Sequence, residues 1–351
     1  MKTILITGGA GFIGSHTCVE LINNGHNVCI IDSLINSSEK IILDIKETLK
    51  LEKTYKKGEL FFRKGDLRNK KFLFNVFNEF KKKFKMIDAV IHFAGLKSVE
   101  ESCNEPLKYW DANINSTLSL LEIMNTFNCY SIVFSSSATI YKPQGGVKLK
   151  ESSPKGPINP YGYSKLTNEL ILENLFRSNP NLWKIANLRY FNPAGAHTSG
   201  YLGENPLNKP TNLFPIILDV AMSKNKELSI FGNDWPTKDG TCIRDYIHVM
   251  DLAEAHSNTL DYLMKNDPQI ISLNIGTGSG TSVLEIVNKF IEVNKVEVPY
   301  KFRKRRDGDA DSVVADNSLA SDILKWKPKR NIHDMCFDSW KWINASMFKT
   351  N

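Results

Sequence analysis

The chain has 351 residues, of which 42% are hydrophobic and 24% charged, and its 45 Lys and Arg against 38 Asp and Glu give a formal net charge of +7. This composition excludes a globally disordered chain, and the length suits one large α/β unit or two modest domains. The positive balance favours an anionic partner, a role that a nucleotide fills as well as a nucleic acid does.

Short apolar runs alternate with amphipathic helical segments through the first half of the chain. This alternation is typical of an α/β fold with a doubly wound parallel sheet of the Rossmann type. The predicted buried strands are Thr3–Thr7, Val28–Ile31, Ala89–Phe93, Ser131–Phe134, Ile185–Leu188 and, later in the chain, Ile271–Ile275.

The character of the chain changes around Tyr190, where glycines and prolines mark a long loop region and the later elements become shorter. We therefore expect a first domain of residues 1–190 and a smaller mixed C-terminal domain of residues 191–351. Segments near 240–280 are candidates for returning to the first domain.

A glycine-rich turn follows the first strand. Gly8, Gly11 and Gly14 stand between that strand and a helix predicted from about Phe12, and Asp32 lies 18 residues after the last glycine. Missing side chains let the backbone approach a pyrophosphate at the helix N-terminus, and an acid at this distance binds a ribose. A carboxylate repels a 2′-phosphate, so this context predicts NAD rather than NADP, and the first domain is expected to bind it.

A tyrosine and a lysine share one face of a predicted helix. Tyr161 and Lys165 are four residues apart, so an ammonium near the phenol can favour the phenolate, although such a pair on its own is common in helices. Ser135–Ser137 follows the strand predicted to end at Phe134, which places hydroxyls at the carboxyl edge of the sheet. With the Tyr–Lys pair present, Ser137 is a candidate proton shuttle for a substrate hydroxyl.

Together with these motifs, five further segments resemble the UDP-glucose 4-epimerase family, which belongs to the extended short-chain dehydrogenases. The similarity runs from about Lys2 to about Trp342. The segments are Phe134–Tyr141 (FSSSATIY), Tyr190–Gly195 (YFNPAG), Ile230–Asp234 (IFGND), Arg244–Leu252 (RDYIHVMDL) and Arg305–Asp309 (RRDGD).

The resemblance implies an isomerase that interconverts UDP-glucose and UDP-galactose. Tyr161 is then the base that takes the proton of the sugar 4-hydroxyl while tightly bound NAD takes the hydride from C4, and the 4-keto sugar rotates before hydride returns. Ser137 assists this transfer, and Lys165 holds the nicotinamide ribose and lowers the pKa of Tyr161.

The resemblance also implies two sets of binding residues. The cofactor set comprises Gly8, Gly11, Phe12, Ile13, Gly14, Asp32, Asn36, Ser37, Asp66, Leu67, Phe93, Ala94, Gly95, Lys97, Asn113, Tyr161, Lys165 and Tyr190. The UDP-sugar set comprises Lys97, Ser137, Tyr161, Asn192, Asn212, Leu213, Ser229, Phe231, Arg244, Arg306, Asp309 and Val313.

Arginine chemistry agrees with a diphosphate ligand, because Arg244 and Arg306 can each meet phosphate oxygens through several donors. The basic run that ends at Arg306 is also compatible with a nucleic-acid patch, but acids at 307, 309 and 311 would repel a nucleic-acid backbone. We therefore expect no nucleic-acid partner.

Val313 occupies a position where the family carries either a bulky tyrosine that restricts the sugar pocket or a small residue that admits N-acetylated sugars. Valine lies between these in size, which leads to the hypothesis that UDP-N-acetylglucosamine is partly accepted.

Two rival functions remain open at this point. A dehydratase or decarboxylase of sugar nucleotides would need acids after the strand hydroxyl, whereas Ala138 and Thr139 follow Ser137 here. A non-catalytic NAD sensor would have no need of a base at Tyr161.

The remaining expectations concern location and assembly. The six cysteines form no C-x-x-C pair and no metal-ligand pattern, and no run approaches the roughly 20 apolar residues of a membrane span, so we expect a cytoplasmic protein without a metal or membrane partner. The start Met1-Lys2 runs into an apolar segment too short for a signal peptide. The resemblance also implies a homodimer. The helices near Asn113 and Tyr161 carry apolar residues on more than one face, as a helix bundle between subunits requires, and burial within one subunit is the alternative explanation: Leu120, Leu121, Met124, Leu170, Leu172, Leu175 and Phe176.

Overall fold

The computed structural model describes residues 1–52, 58–306 and 308–347, so that Asp307 of the Arg305–Asp309 motif lies outside the described residues. The chain divides into two compact units. The first consists of Met1–Ile140, Pro157–Arg189 and Ala253–Leu273, and the second of Tyr141–Gly156, Tyr190–Leu252 and the chain from Asn274 onward. The first unit thus takes up a segment from within the 240–280 region, and the second takes up the short segment 141–156.

A seven-stranded sheet forms the centre of the first unit, and it confirms the predicted doubly wound α/β fold. Its strands are β1 (Thr3–Thr7), β2 (Asn27–Asp32), β3 (Leu60–Lys64), β4 (Ala89–His92), β5 (Ser131–Ser137), β6 (Lys184–Tyr190) and β11 (Gln269–Ile275). Their order is β11-β6-β5-β4-β1-β2-β3, and β1 pairs in parallel with both β2 and β4. Strands β1, β4 and β5 are buried along their whole length, as expected for a parallel sheet covered on both faces.

Helices fill the connections between these strands. They are α1 (Phe12–Asn23), α2 (Lys40–Leu51), α3 (Lys70–Phe84), α4 (Val99–Asn104), α5 (Pro106–Trp110), a π-helical turn (Asp111–Asn115), α6 (Ser116–Thr126), a 3₁₀ turn (Ala138–Ile140), α7 (Pro160–Ser178) and α9 (Val249–Lys265), which begins in the second unit. The helix predicted near Asn113 therefore continues a longer helical stretch that begins at Pro106.

The end of β5 differs from the prediction. The strand was expected to stop at Phe134, but it continues to Ser137. The three serines are buried, and each makes a hydrogen bond to a residue of α7 through its side chain or its carbonyl. Polar residues therefore extend the strand here because their hydrogen-bonding groups are satisfied inside the unit.

Helix α3 shows how the core of the first unit is built. The Asn69 side chain accepts a hydrogen bond from Phe72 N (3.0 Å) and so caps the helix. Val76, Phe77 and Phe80 recur at helical spacing and are buried against the apolar side chains of the sheet. The unit is thus held by a continuous apolar layer beneath α3 and α6.

The second unit has shorter strands and a mixed arrangement. Its elements are β7 (Asn192–Ala194), α8 (Leu213–Ala221), β8 (Leu228–Phe231), β9 (Ile243–Arg244), β10 (Tyr246–His248), β12 (Thr281–Ser282), α10 (Val283–Asn294), β13 (Tyr300–Arg303), β14 (Ser312–Val313), α11 (Ser318–Leu324) and α12 (Ile332–Met347). Parallel pairs join β7 to β10, β8 to β13 and β9 to β14, whereas β12 is antiparallel to β9. Phe214, Phe290 and Trp342 lie in its separate apolar core.

Within the described residues, no helix combines the length and the apolar character that crossing a membrane requires.

We expect Phe80→Ala to destabilise the first unit by about 3–4 kcal/mol, because it removes a fully buried ring and leaves a cavity. Phe74→Ala on the same helix is the matched control, since that ring is 44% exposed, and it should cost less than about 1 kcal/mol. Urea denaturation followed by circular dichroism measures both changes. Equal losses for the two variants would contradict this account of the core.

Candidate active site

The glycine turn between β1 and α1 leaves space for a ligand beside backbone donors. Gly8 has a φ of +70°, and a Cβ added there would lie 2.6 Å from Ala94 N, so only glycine fits. A Cβ at Gly14 would lie 2.4 Å from the Gly8 carbonyl oxygen, which shows how closely α1 approaches the turn. At Gly11 an added Cβ would meet only that same oxygen, at 3.2 Å.

Gly11 is also the N-cap of α1, whose first turn has no side-chain cap and no acidic residue. The backbone N–H groups at this end of the helix therefore keep their capacity to bind an anion, and no carboxylate competes for it. The residues fit the pyrophosphate of a dinucleotide, because these N–H groups have no competing cap and the glycines put no side chain between them and a closely bound phosphate.

Asp32 closes β2 and is fixed to the glycine turn. Its carboxylate accepts hydrogen bonds from Ala10 N (3.0 Å), Leu34 N (2.8 Å) and the Ser37 hydroxyl (3.3 Å). Burial raises the pKa of this carboxyl group, and the hydrogen bonds from Leu34, Ala10 and Ser37 lower it. The acid is therefore held beside the turn at the position where a ribose is bound in this fold.

The other predicted cofactor residues lie at the carboxyl ends of neighbouring strands. Because β2, β3 and β4 run parallel to one another or to β1, their ends face the same edge of the sheet. Asn36 and Ser37 follow β2, Asp66 and Leu67 follow β3, Phe93, Ala94, Gly95 and Lys97 follow β4, and Tyr190 ends β6. Asp66 also accepts hydrogen bonds from Arg68, which lowers the pKa of its carboxyl group.

Asn113 lies inside the π-helical turn and joins two segments of the site. Its side-chain oxygen accepts from Leu96 N (2.7 Å), and its amide donates to the Leu96 carbonyl (3.1 Å) and to the Ser164 hydroxyl (2.9 Å). Asn168 donates to the Asn113 carbonyl (3.0 Å). The turn therefore ties the loop after β4 to α7, and π-helical turns of this kind are frequent at functional sites.

Tyr161, Ser137 and Lys165 lie close together in the structure. The Ser137 hydroxyl makes a hydrogen bond with the Tyr161 phenol, and it accepts hydrogen bonds from Thr139 N (3.2 Å) and the Thr139 hydroxyl (2.9 Å). Because Thr139 supplies two donors, the single hydrogen of Ser137 is available for the phenol oxygen. Burial raises the pKa of Tyr161, and the hydrogen bond from Ser137 lowers it.

Lys165 is buried one helical turn after Tyr161. Its Nζ donates to the Ser135 carbonyl (2.7 Å) and lies 5.9 Å from the centroid of the Tyr161 ring. Burial lowers the pKa of the ammonium group to about 8. A positive charge near a phenol favours its ionised form, so the pair has the composition of a general base, although burial keeps the pKa of Tyr161 above its usual value.

The second unit brings several predicted substrate residues together. Arg244 in β9 donates through Nη1 to the Ala310 carbonyl (2.9 Å) and through Nη2 to Asp309 (3.2 Å), and β14 pairs with β9 so that Val313 lies opposite Arg244. The guanidinium of Arg306 lies 3.8 Å from the centroid of the ring of Phe231, in a stacked arrangement.

The charges of Arg244, Asp309 and Arg306 act on one thiol. Burial raises the pKa of Cys242, whereas both arginines lower it and Asp309 raises it. Two guanidinium groups with partly exposed donors are suited to a diphosphate.

The remaining predicted substrate residues make other contacts. Asn192 N donates to the Asp245 carbonyl (2.9 Å), the Asn212 amide donates to Glu204 (2.8 Å), and Ser229 Oγ accepts from Arg303 Nε at 3.4 Å. Leu213 is the first residue of α8, which begins after Asn212.

Three residues of the hydrogen-bond network around the β5 serines are not predicted from the sequence. Thr139 counts there only as a non-acidic residue after Ser137, and neither Glu169 nor Arg189 is expected at the site. Glu169 lies four residues after Lys165, so helical spacing alone could have indicated it. Arg189 could not have been paired with it, because the two meet only through the folding of β6 beside α7.

Known proteins resemble this chain over nearly its whole length. The family model described as GDP-mannose 4,6 dehydratase matches residues 5–338. The UDP-glucose 4-epimerase of Bacillus subtilis is 47% identical over 98% of this chain and 97% of its own length.

Two solved structures are similar over nearly their whole length. The UDP-glucose-4-epimerase of Stenotrophomonas maltophila, with bound NAD and formylated UDP-arabinopyranose, has a TM-score of 0.92 and 42% identity and covers 100% of both chains. That of Bifidobacterium longum, in complex with NAD+ and UDP, has a TM-score of 0.91 and 41% identity over 99% of both chains. The chain therefore belongs to the family that the GDP-mannose 4,6 dehydratase model describes and, within it, to the UDP-glucose 4-epimerase family.

Proposed function

We propose that this protein interconverts UDP-glucose and UDP-galactose, with NAD as a tightly bound cofactor. The observation that carries the proposal is the hydrogen-bonded Ser137–Tyr161 pair beside the Lys165 ammonium, at the same sheet edge as the glycine turn. Family membership and the NAD and UDP-sugar in the Stenotrophomonas maltophila epimerase support the same assignment.

The cofactor is held by the first unit in this proposal. The N-terminus of α1 at Gly11 binds the pyrophosphate, Asp32 binds a ribose, and Lys165 and Asn113 lie on the side of the site that carries the chemistry. When bound, NAD supplies a reversible hydride acceptor for C4 of the sugar. The remaining residues of the cofactor set lie in the glycine turn and the first turn of α1, in the loops after β2, β3 and β4, in α7 and at the end of β6.

Tyr161 is the group that moves the proton. Its phenolate accepts the proton of the sugar 4-hydroxyl, and Ser137 donates a hydrogen bond that stabilises the phenolate. Lys165 adds a positive charge nearby, which favours the phenolate of Tyr161 before the reaction. The Ser135 carbonyl holds this ammonium in place. The proton returns to the oxygen after the 4-keto sugar has rotated, so no group of the protein is consumed.

The nucleotide is held by the second unit. Arg244 and Arg306 bind the diphosphate through guanidinium donors, and Asp309 orients Arg244. The ring of Phe231, already stacked on Arg306, supplies an apolar surface for a base, while Asn192, Asn212, Leu213 and Ser229 complete the set. Firm binding of the nucleotide lets the sugar turn without leaving the protein.

The chemistry around Ser137 favours epimerisation over elimination. Removal of water or carbon dioxide needs an additional acid or base, and the residues that follow Ser137 are Ala138 and Thr139. A carboxylate does lie nearby at Glu169, but it is buried and engaged by Ser136 and Arg189. A non-catalytic NAD sensor is disfavoured because the Tyr–Lys–Ser arrangement is complete.

We also propose a homodimer, although most of the residues that led to this prediction lie inside the unit. Leu120, Leu121, Met124 and Leu172 are buried in its core, because the sheet and α3 cover them. Leu118 on α6 and Tyr163 and Leu170 on α7 are instead 40%, 48% and 46% exposed. Exposed apolar side chains on helices that flank the π-helical turn support an interface between subunits.

A cytoplasmic location is part of the proposal. It is supported by the cysteines, since all six carry free thiols and five of them are buried.

Tyr161→Phe should lower the conversion of UDP-galactose to UDP-glucose by about 10²–10⁴-fold, because it removes the proton-accepting oxygen and little else. The assay uses purified protein without added NAD and follows the products by chromatography. Tyr163→Phe is the matched control, since this tyrosine lies on the same helix with its side chain 48% exposed. No conversion by the wild-type protein, even with NAD supplied, would show that the proposed activity is wrong.

The side chain of Val313 is intermediate in size between a tyrosine and a small residue, so it should allow slow turnover of UDP-N-acetylglucosamine. Val313→Tyr should reduce that turnover by about 10–100-fold more than it reduces UDP-galactose turnover, because the larger ring occupies the space of the acetyl group. Separate kcat/KM values for the two substrates give the comparison. Turnover of the N-acetylated sugar at background level by the wild type would rule the idea out.

Leu118→Glu/Leu170→Glu should shift the protein from dimer to monomer in analytical ultracentrifugation, because two charges would be buried in the interface. Leu43→Glu is the control, since this leucine is 60% exposed on α2. A wild-type protein that sediments as a monomer across the concentration range would contradict the homodimer.

A further inference from the structure

Three consecutive residues of β5 bond to three residues of α7 that are one helical turn apart. The Ser137 hydroxyl bonds to Tyr161, the Ser135 carbonyl accepts from Lys165 Nζ (2.7 Å), and the Ser136 hydroxyl donates to Glu169 Oε1 (2.6 Å). Two of these contacts hold the proposed base and its lysine. The third involves no residue of the proposed chemistry, and it needs a separate explanation.

Glu169, the acceptor in this third contact, also forms an ion pair. Its carboxylate accepts from Arg189 Nε (2.9 Å, to Oε1) and from Arg189 Nη2 (2.8 Å, to Oε2), so the two side chains form a bidentate ion pair. Both are buried, with 3% and 2% of their side-chain surface exposed. Arg189 lies on β6, next to β5 in the sheet, so the pair connects α7 to two strands.

A buried ion pair is weak evidence for a contribution to stability. Desolvation of the two charges offsets most of their attraction, and apolar residues of similar volume often serve the fold equally well. The directional bonds are what apolar residues cannot reproduce, because a bidentate arginine and a hydroxyl fix the carboxylate in both distance and orientation. Such a group restricts sliding and rotation of α7 on the sheet.

The position of α7 on β5 decides whether the proposed base is assembled. Tyr161 and Lys165 lie on the same helix as Glu169, and Ser137 and Ser135 lie on the same strand as Ser136. A shift of α7 by a fraction of an ångström would lengthen the Ser137–Tyr161 hydrogen bond, and catalytic geometry tolerates little displacement.

We propose that Ser136, Glu169 and Arg189 form a positioning network that sets the register of α7 on β5 and thereby holds Tyr161 against Ser137 and Lys165 against the Ser135 carbonyl. The network touches neither substrate nor cofactor, and it acts only through Tyr161 and Lys165. It deepens the proposed epimerase function and rests on it for its effect on turnover.

The decisive variant replaces both charges together, Glu169→Leu/Arg189→Met, because the apolar pair retains packing volume and leaves no unpaired buried charge. We expect kcat to fall at least about tenfold with KM for UDP-galactose changed less than about twofold, since substrate contacts are intact. Ser136→Ala keeps the ion pair and removes one hydroxyl, so it should fold readily and show a smaller fall in the same direction.

A second readout does not depend on turnover. Absorbance at 295 nm follows tyrosine ionisation, and subtracting the titration of the same protein carrying Tyr161→Phe isolates Tyr161. In both network variants the midpoint should rise, by at least about one pH unit in the double variant, because the phenolate loses its aligned hydrogen bond from Ser137.

Arg330→Met is the matched control, because Arg330 also pairs with a fully buried carboxylate, that of Asp251 in the second unit. It should lower thermal stability and leave both kcat and the Tyr161 titration unchanged. A folded double variant whose kcat or Tyr161 midpoint equals that of the wild type would overturn the network. Should the double variant not fold, Ser136→Ala decides by the same two criteria.

The titration also separates this proposal from the proposed function. A wild-type protein that converts no UDP-galactose, together with a raised Tyr161 midpoint in the variants, would refute the epimerase and leave the positioning network standing. Conversion of UDP-galactose by the wild type, together with an unchanged kcat and Tyr161 midpoint in the variants, would support the epimerase and refute the positioning network.

Discussion

The parallel alignment of β1 with β2 and β4 is the constraint on which the first unit depends. Strands that run in the same direction end at the same edge, so the glycine turn, Asp32 and the loop after β4 are neighbours although they are far apart in the sequence. The close approach at Gly8 follows from this alignment, because the backbone of the turn meets that of Ala94 with no room for a side chain. Cofactor binding is thus a consequence of the sheet itself.

Several ionisable side chains around Tyr161 are buried. Burial lowers the pKa of the Lys165 ammonium to about 8, and its Nζ donates to the Ser135 carbonyl. Glu169 and Arg189 form an ion pair nearby, so that, with Tyr161 and Lys165, four ionisable side chains around the base are held by directional bonds. Directional bonds to buried charged groups fix the geometry around Tyr161, as is common where chemistry requires precise placement.

The second unit carries its proposed substrate residues on short strands and loops. Arg244 and Val313 are presented by two-residue strands, and Arg306 lies just beyond β13. Such short segments make few hydrogen bonds of their own, and a buried carboxylate joins several of them. Asp245 does so by accepting hydrogen bonds from Thr277 N (2.8 Å), Gly278 N (2.9 Å) and the Ala315 backbone. The proposed nucleotide site therefore lies on connections that the apolar core of this unit supports.

The sequence by itself determined the fold class, the glycine turn with its acid, and the Tyr161–Lys165 pair, because each depends on local spacing along one strand or helix. Only the tertiary structure decided where β5 ends and which side of α7 is buried, since both depend on partners distant in the chain. The same holds for the Glu169–Arg189 pair and for Thr139, whose two donors orient the Ser137 hydroxyl. Periodicity reports the face that a residue occupies, whereas a hydrogen-bond partner on another element is chosen by packing, which no local pattern encodes.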